Sequence, residues 1–101
     1  MKAKDLKRYQ QEEFNKIYPL LKKLLSKFQL SETITLFKFS EIEFLACNKN
    51  EVVEFSFSTE RPIFPTLAFK PSDNGSAELL YFRFDMYLMK KLLYRFEILN
   101  D

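Results

Sequence analysis

Apolar residues recur at Phe14, Ile17, Tyr18, Leu21, Leu24, Leu25 and Phe28, a three-and-four spacing that lines one side of a 3.6-residue period. This predicts an amphipathic helix over residues 6–29. The apolar phase is the same on both sides of Pro19, which predicts a kinked helix or two abutting ones and no domain boundary. The polar side carries Lys16, Lys23 and Lys27, and Glu12 precedes Lys16 by four, the favourable order for an exposed helical pair.

From Thr33 to Phe84 the period shortens towards two and the residues become β-branched and aromatic, which predicts a sheet. The apolar positions are odd at Phe37 and Phe39 but even at Ile42, Phe44 and Ala46, so a bulge or bend is expected around Lys38–Ser40. If Ile42, Phe44 and Ala46 share a face with Val53, Phe55 and Phe57, the next hairpin places Cys47 opposite Val52 around a four-residue turn, Asn48 to Glu51. Pro62 and Pro65 each lack a backbone donor, which makes Arg61–Pro65 a connection or a sheet edge. Thr66–Lys70 and Glu78–Phe84 form a second hairpin, with Gly75 supplying positive φ in its turn. Asp85 is placed to cap a final helix over residues 86–99, whose Met86, Met89, Leu92, Leu93, Phe96 and Leu99 resume the three-four spacing.

Strands adjacent in sequence and joined by short turns pair antiparallel, and two amphipathic terminal helices can cover one sheet face. The predicted fold is therefore α+β: an antiparallel sheet of about four strands with N- and C-terminal helices packed on one face, a helix–strands–helix two-layer sandwich. Phe44, Phe55, Phe57, Phe69, Phe82 and Phe84 take the phase that faces the helices. Leu45, Val52, Leu79 and Tyr81 point the other way, mixed with Glu41, Glu43, Glu54 and Arg83. That outer face is more apolar than hydration alone requires, and such faces often meet a partner, although single exposed apolar residues are also ordinary.

Composition narrows the setting. The chain has 101 residues, 47% hydrophobic and 30% charged, with one Gly and four Pro, which predicts a single folded domain over residues 1–101. Cys47 is the only cysteine, so no intramolecular disulfide forms. No apolar run approaches the roughly 20 residues that span a bilayer, and a cytoplasmic, non-membrane setting is expected. Asn74-Gly75-Ser76 matches a glycosylation acceptor, yet Asn-Gly is first of all a turn signal.

The chemistry available is limited. There is no His, which removes imidazole general-base catalysis and the commonest metal ligand. Cys47 then lacks a base to make its thiolate and reads as a packing thiol. A single Gly excludes phosphate-cradling glycine loops. Glu41, Glu43 and Glu54 form a carboxylate group on the outer strand face, suited to a hard cation or to proton transfer, but a half-buried strand also keeps its outer side polar in this way. No catalytic residue, cofactor or metal site is expected.

The net charge of +2 is unevenly spread: residues 1–30 hold eight basic and three acidic side chains, residues 31–60 two and six. The expected function is a non-catalytic protein–protein interaction module, such as a small inhibitor, immunity or accessory protein of a phage or mobile element. It would act by occluding a partner surface or by self-association, with Glu41, Glu43 and Glu54 facing a basic patch and Leu45, Val52 and Tyr81 as apolar anchors. The alternative is nucleic-acid binding through Lys16, Lys23 and Lys27 of the basic first helix. Lysines on the outer side of a helix also serve simply to keep it hydrated.

Overall fold

The computed structural model describes residues 3–39, 42–57, 67–82, 90–91 and 93–95. Helix α1 (Ala3–Leu25) is followed by five strands: β1 (Thr35–Phe39), β2 (Ile42–Lys49), β3 (Val52–Phe57), β4 (Leu67–Pro71) and β5 (Ala77–Phe82). They form one antiparallel meander in the order β1-β2-β3-β4-β5. Lys90, Lys91 and Leu93 to Arg95 are helical, in agreement with the expected final helix, and Leu93 is buried in the same core as α1. Arg83, Phe84, the Asp85 cap, the connection Arg61–Pro65 and the remainder of residues 86–99 lie outside the described residues.

The helix is continuous through Pro19, which is exposed, so the amide hydrogen bond that proline cannot make is missing on the solvent side. It ends at Leu25, earlier than the periodicity predicts. Lys27 and Phe28 donate to carbonyls three residues back, at 3.2 and 3.1 Å, which tightens the chain into a turn. Phe28 leaves the helix but keeps its place in the interior, 5.2 Å from the ring of Phe44 and 5.1 Å from that of Phe37. At the other end Phe14 meets Phe69 at 5.4 Å. The helix thus crosses the inner sheet face from the β4–β5 side to the β1–β2 side.

The core is aromatic because a small interior without Trp is filled most economically by Phe. Phe14, Phe44, Phe55 and Phe69 are its largest fully buried side chains, and Phe44 stacks on Phe55 across β2 and β3 at 5.1 Å. The predicted inward phase of Phe44, Phe55, Phe69 and Phe82 is observed.

Several expectations are corrected. The sheet has five strands, not about four: of the bulge or bend expected around Lys38–Ser40 the register shows the bend, a chain reversal in which Phe39 pairs with Ile42 and β1 and β2 become separate strands. The β2–β3 turn has two residues, not four. Lys49 pairs with Val52, and Asn50 and Glu51 both have positive φ, 54° and 65°. This is the backbone of the two-residue turn whose twist matches that of the flanking strands. The ladder therefore moves by two residues, and Cys47 faces Glu54 instead of Val52. Finally, Leu79 points inward, paired with Phe69 and buried. The β4–β5 register shifts between Ala68 and Phe69, so Leu80 is the extra residue of a bulge and the phase of β5 inverts across it.

Candidate functional site

The outer sheet face, opposite α1, is built from transverse rows set by the register. One row runs Leu36, Leu45 and Ser56 across β1, β2 and β3. The next runs Cys47, Glu54, Ala68 and Tyr81 across β2 to β5. Cys47, Ser56 and Ala68 are buried and form a close-packed floor of small side chains. Leu45, Glu54 and Tyr81 are half-buried, while Leu36 is 56% and Leu80 45% exposed. The bulge at Leu80 puts two successive β5 residues, Leu80 and Tyr81, on the solvent side of the strand.

Of the predicted partner-binding residues, Leu45, Glu54 and Tyr81 share this face and two adjacent rows. Val52 stands at its end, opposite Lys49 beside the turn. Glu43 is exposed at its other end, opposite Lys38. Glu41 lies outside the described residues. The expected carboxylate group is not assembled as read. The shifted register sets Glu54 opposite Cys47, four residues along β2 from Glu43 and so about 13 Å away along the strand. Among the described residues no group of three or more His, Cys, Asp or Glu is placed to hold a metal ion.

Glu54 has an electrostatic effect on its neighbour. Burial, and then the Glu54 carboxylate beside it, pushes the Cys47 thiol above its usual pKa, away from the thiolate form. The crevice beside them, lined by Ile34, Leu45, Cys47, Glu54 and Ser56, has a volume of 20 Å³, about the room a single water needs. A larger hollow of 840 Å³ opens beside the β2–β3 and β4–β5 turns. It is lined by side chains of both signs, among them Glu51, Lys70, Asp73 and Glu78.

The lysines of the alternative reading divide. Lys16 is paired to Glu13 at 3.2 Å. Lys23 in the last turn of α1 and Lys27 in the turn just beyond it are exposed, where positive charge also offsets the negative end of the helix dipole. Among the described residues no helix is long and apolar enough to cross a membrane.

Two features escape sequence reasoning. Ile34, just before β1, and Leu36 within it border the outer face, although the strand reads equally well with Phe37 and Phe39 as its only functional phase; the exposed even-numbered pair is the signal. Gln11, on α1, accepts from the Leu79 amide at 2.8 Å and donates to the Ala77 carbonyl at 3.1 Å. Its amide group thereby occupies backbone groups of β5, and nothing in the local sequence marks it for that role.

No protein family matches this chain, and comparison with curated proteins and with solved structures finds no match either.

Proposed function

We propose that this chain is a non-catalytic interaction module that acts by occupying the surface of a protein partner, in the manner of a small inhibitor, immunity or accessory protein of a phage or mobile element. The observation that carries the reading is the outer sheet face. Leu36, Leu45, Leu80 and Tyr81 surround a floor of small buried residues, and carboxylates stand at Glu54 within the face and Glu43 at its end. A flat, partly apolar surface of this kind suits a protein partner with an apolar centre and basic groups around it. Val52 extends the apolar part toward the turn.

The test is affinity capture from the native host with wild-type protein, an outer-face variant Glu43→Lys/Glu54→Lys, an apolar variant Leu36→Ser/Leu80→Ser, and a helix-face control Lys23→Glu/Lys27→Glu. The expected result is a single partner retained by the control and lost from both outer-face variants. Retention of the same partner by both of those variants at wild-type yield overturns the proposal. Loss only from the helix-face control, with recovery falling as salt rises, points instead to phosphate contacts through α1.

A further inference from the structure

The β4–β5 turn, residues 72–76, gathers three hydrogen-bond donors on one side-chain oxygen. Asn74 Oδ1 accepts from the Ser76 amide at 3.0 Å, from the Ser76 hydroxyl at 2.6 Å and from the Ser72 hydroxyl at 2.5 Å. The Ser72 amide donates to the Ser76 carbonyl at 2.9 Å and closes the turn. The bond from the Ser76 amide, two residues on, folds the asparagine side chain back over the Gly75 peptide.

Gly75, the only glycine of the chain, has φ 88°, in the left-handed region that a residue without a Cβ enters freely. Apart from its chain neighbours, the nearest atom to the place a Cβ would take is Lys22 Nζ, 3.9 Å away, so the Gly75 nitrogen is unshielded. It is also weakly engaged. Its bond to the Ser72 carbonyl is 3.3 Å long, outside the ordinary range of about 2.7–3.2 Å. Residues 72–76 are all exposed, and Ser72, Asp73 and Ser76 border the 840 Å³ hollow, so water reaches the turn. An open nucleophile and a carbonyl ringed by donors thus stand at the two ends of an incipient five-membered ring.

We infer that Asn74 is a self-modification site, converted through a cyclic imide, and that the Ser72 and Ser76 hydroxyls speed the conversion. Hydroxide takes the Gly75 amide proton. The nitrogen then attacks Asn74 Cγ, and as the new N–C bond forms the carbonyl electron pair moves onto Oδ1. The three donors already face the atom on which this charge develops, the arrangement of an oxyanion hole. Collapse re-forms the C=O bond and breaks Cγ–Nδ2; the leaving nitrogen takes a proton from water and departs as ammonia, which returns the hydroxide. Water finally opens the imide at either carbonyl, leaving residue 74 as an aspartate or as its β-linked isomer. The aspartate keeps an acceptor for the three donors but adds charge beside Asp73. The isomer puts an extra methylene into the main chain, directly under the Pro71–Ala77 pair that ends the β4–β5 ladder, and loosens that end of the hairpin. The outer face plays no part in this chemistry, so the two readings stand or fall separately.

The experiment incubates the full chain at neutral and at mildly alkaline pH. Mass spectrometry of the peptide that contains residues 72–76 follows the replacement of NH2 by OH and the appearance of the β-linked isomer. Wild type is compared with Ser76→Ala, Ser72→Ala and Asn74→Gln, all surface changes, with circular dichroism to verify folding. The expected result is conversion at Asn74 that quickens with pH and yields both isomers. It is slowed about tenfold in Ser76→Ala, less than the roughly hundredfold that such a donor contributes in a water-excluded site. Ser72→Ala is slowed as well, and Asn74→Gln, which would need a six-membered ring, does not react on this timescale. Repeating the comparison in urea separates the fold from the local sequence: without the turn, wild type and Ser76→Ala react at the same rate. An Asn74 that stays intact, a folded Ser76→Ala that reacts as fast as wild type, or a difference that persists in urea overturns the inference.

Discussion

Glu13 on α1 accepts a 2.5 Å charge-assisted hydrogen bond from Lys90, seventy-seven residues later in the chain, and it is the one ion pair seen between α1 and the helical residues near the C-terminus among the described residues. Lys16 joins from the same helix at 3.2 Å. The hydrogen bond from Lys90, then that from Lys16, hold the Glu13 carboxyl below its ordinary value of 4.5, and Glu13 in turn raises the Lys90 ammonium above 10.5. A carboxyl with a lowered folded-state pKa contributes stability above its unfolded value and loses it as pH falls through the lower, folded one. The lysine contributes below its unfolded value and loses it as pH rises through the higher, folded one. Glu13→Gln is therefore expected to lower Tm at neutral pH and to flatten the acid side of the stability profile. Thermal unfolding followed from pH 7 downward checks this, and an unchanged acid limb in the variant refutes the role.

The β2–β3 turn carries Glu51 at φ 65°, a left-handed conformation that costs most L-residues about 1–2 kcal/mol. Its contact with Lys70 is long, 3.7 Å, and exposed, so little is lost with the side chain. Glu51→Gly, which creates the favoured Asn-Gly turn, is expected to stabilise the fold by roughly 0.5–1 kcal/mol. Asn50→Val, a β-branched residue at φ 54°, is expected to do the reverse. Urea unfolding midpoints measure both.

Phe44 touches the rings of Phe28, Phe37 and Phe55, at 5.2, 5.6 and 5.1 Å. Phe44→Ala is expected to cost about 3–5 kcal/mol, a large share of the roughly 5–15 kcal/mol that keeps a domain folded. Leu80→Ala, at the bulge and 45% exposed, is expected to change stability by no more than about 0.5 kcal/mol. Equal losses in chemical denaturation would contradict the assignment of the two faces.

Gln11 is expected to protect the β5 edge. Gln11→Ala removes two hydrogen bonds to the strand and should cost roughly 1–3 kcal/mol, with faster amide hydrogen exchange at Leu79. Gln11→Glu keeps the acceptor for Leu79 but sets a carboxylate against the Ala77 carbonyl, so its loss should be relieved at low pH, where the protonated acid can donate. Exchange at Leu79 that is the same in all three proteins overturns the role.

The periodicity of the chain carried most of the inward face. Phe14, Ile17, Leu21, Phe44, Phe55 and Phe69 are buried as their phase requires, because a helix stripe and an alternating strand each need only local spacing to be read. What it carried poorly depends on counting between strands. A two-residue and a four-residue turn give Phe44 and Phe55 the same face, so parity cannot choose between them; the left-handed pair Asn50 and Glu51 decides, and Glu is not a residue that announces such a turn. The same two-residue step separates Glu54 from Glu43 and dissolves the carboxylate group. Simple alternation sends Leu79 outward, because the bulge at Leu80 has no glycine or proline to mark it. Leu45, Glu54 and Tyr81 keep their outward assignment. Gln11 reaches across to residues 66 and 68 positions away, a contact that only the packed helix creates.

One sealed margin has a consequence for growth. A ribbon layer open along both sides can recruit copies without end and lengthen into a filament. With the amide of Gln11 standing where a sixth strand would begin, the β5 margin is closed to such recruitment. Removing the Gln11 amide would reopen that margin to a neighbouring strand.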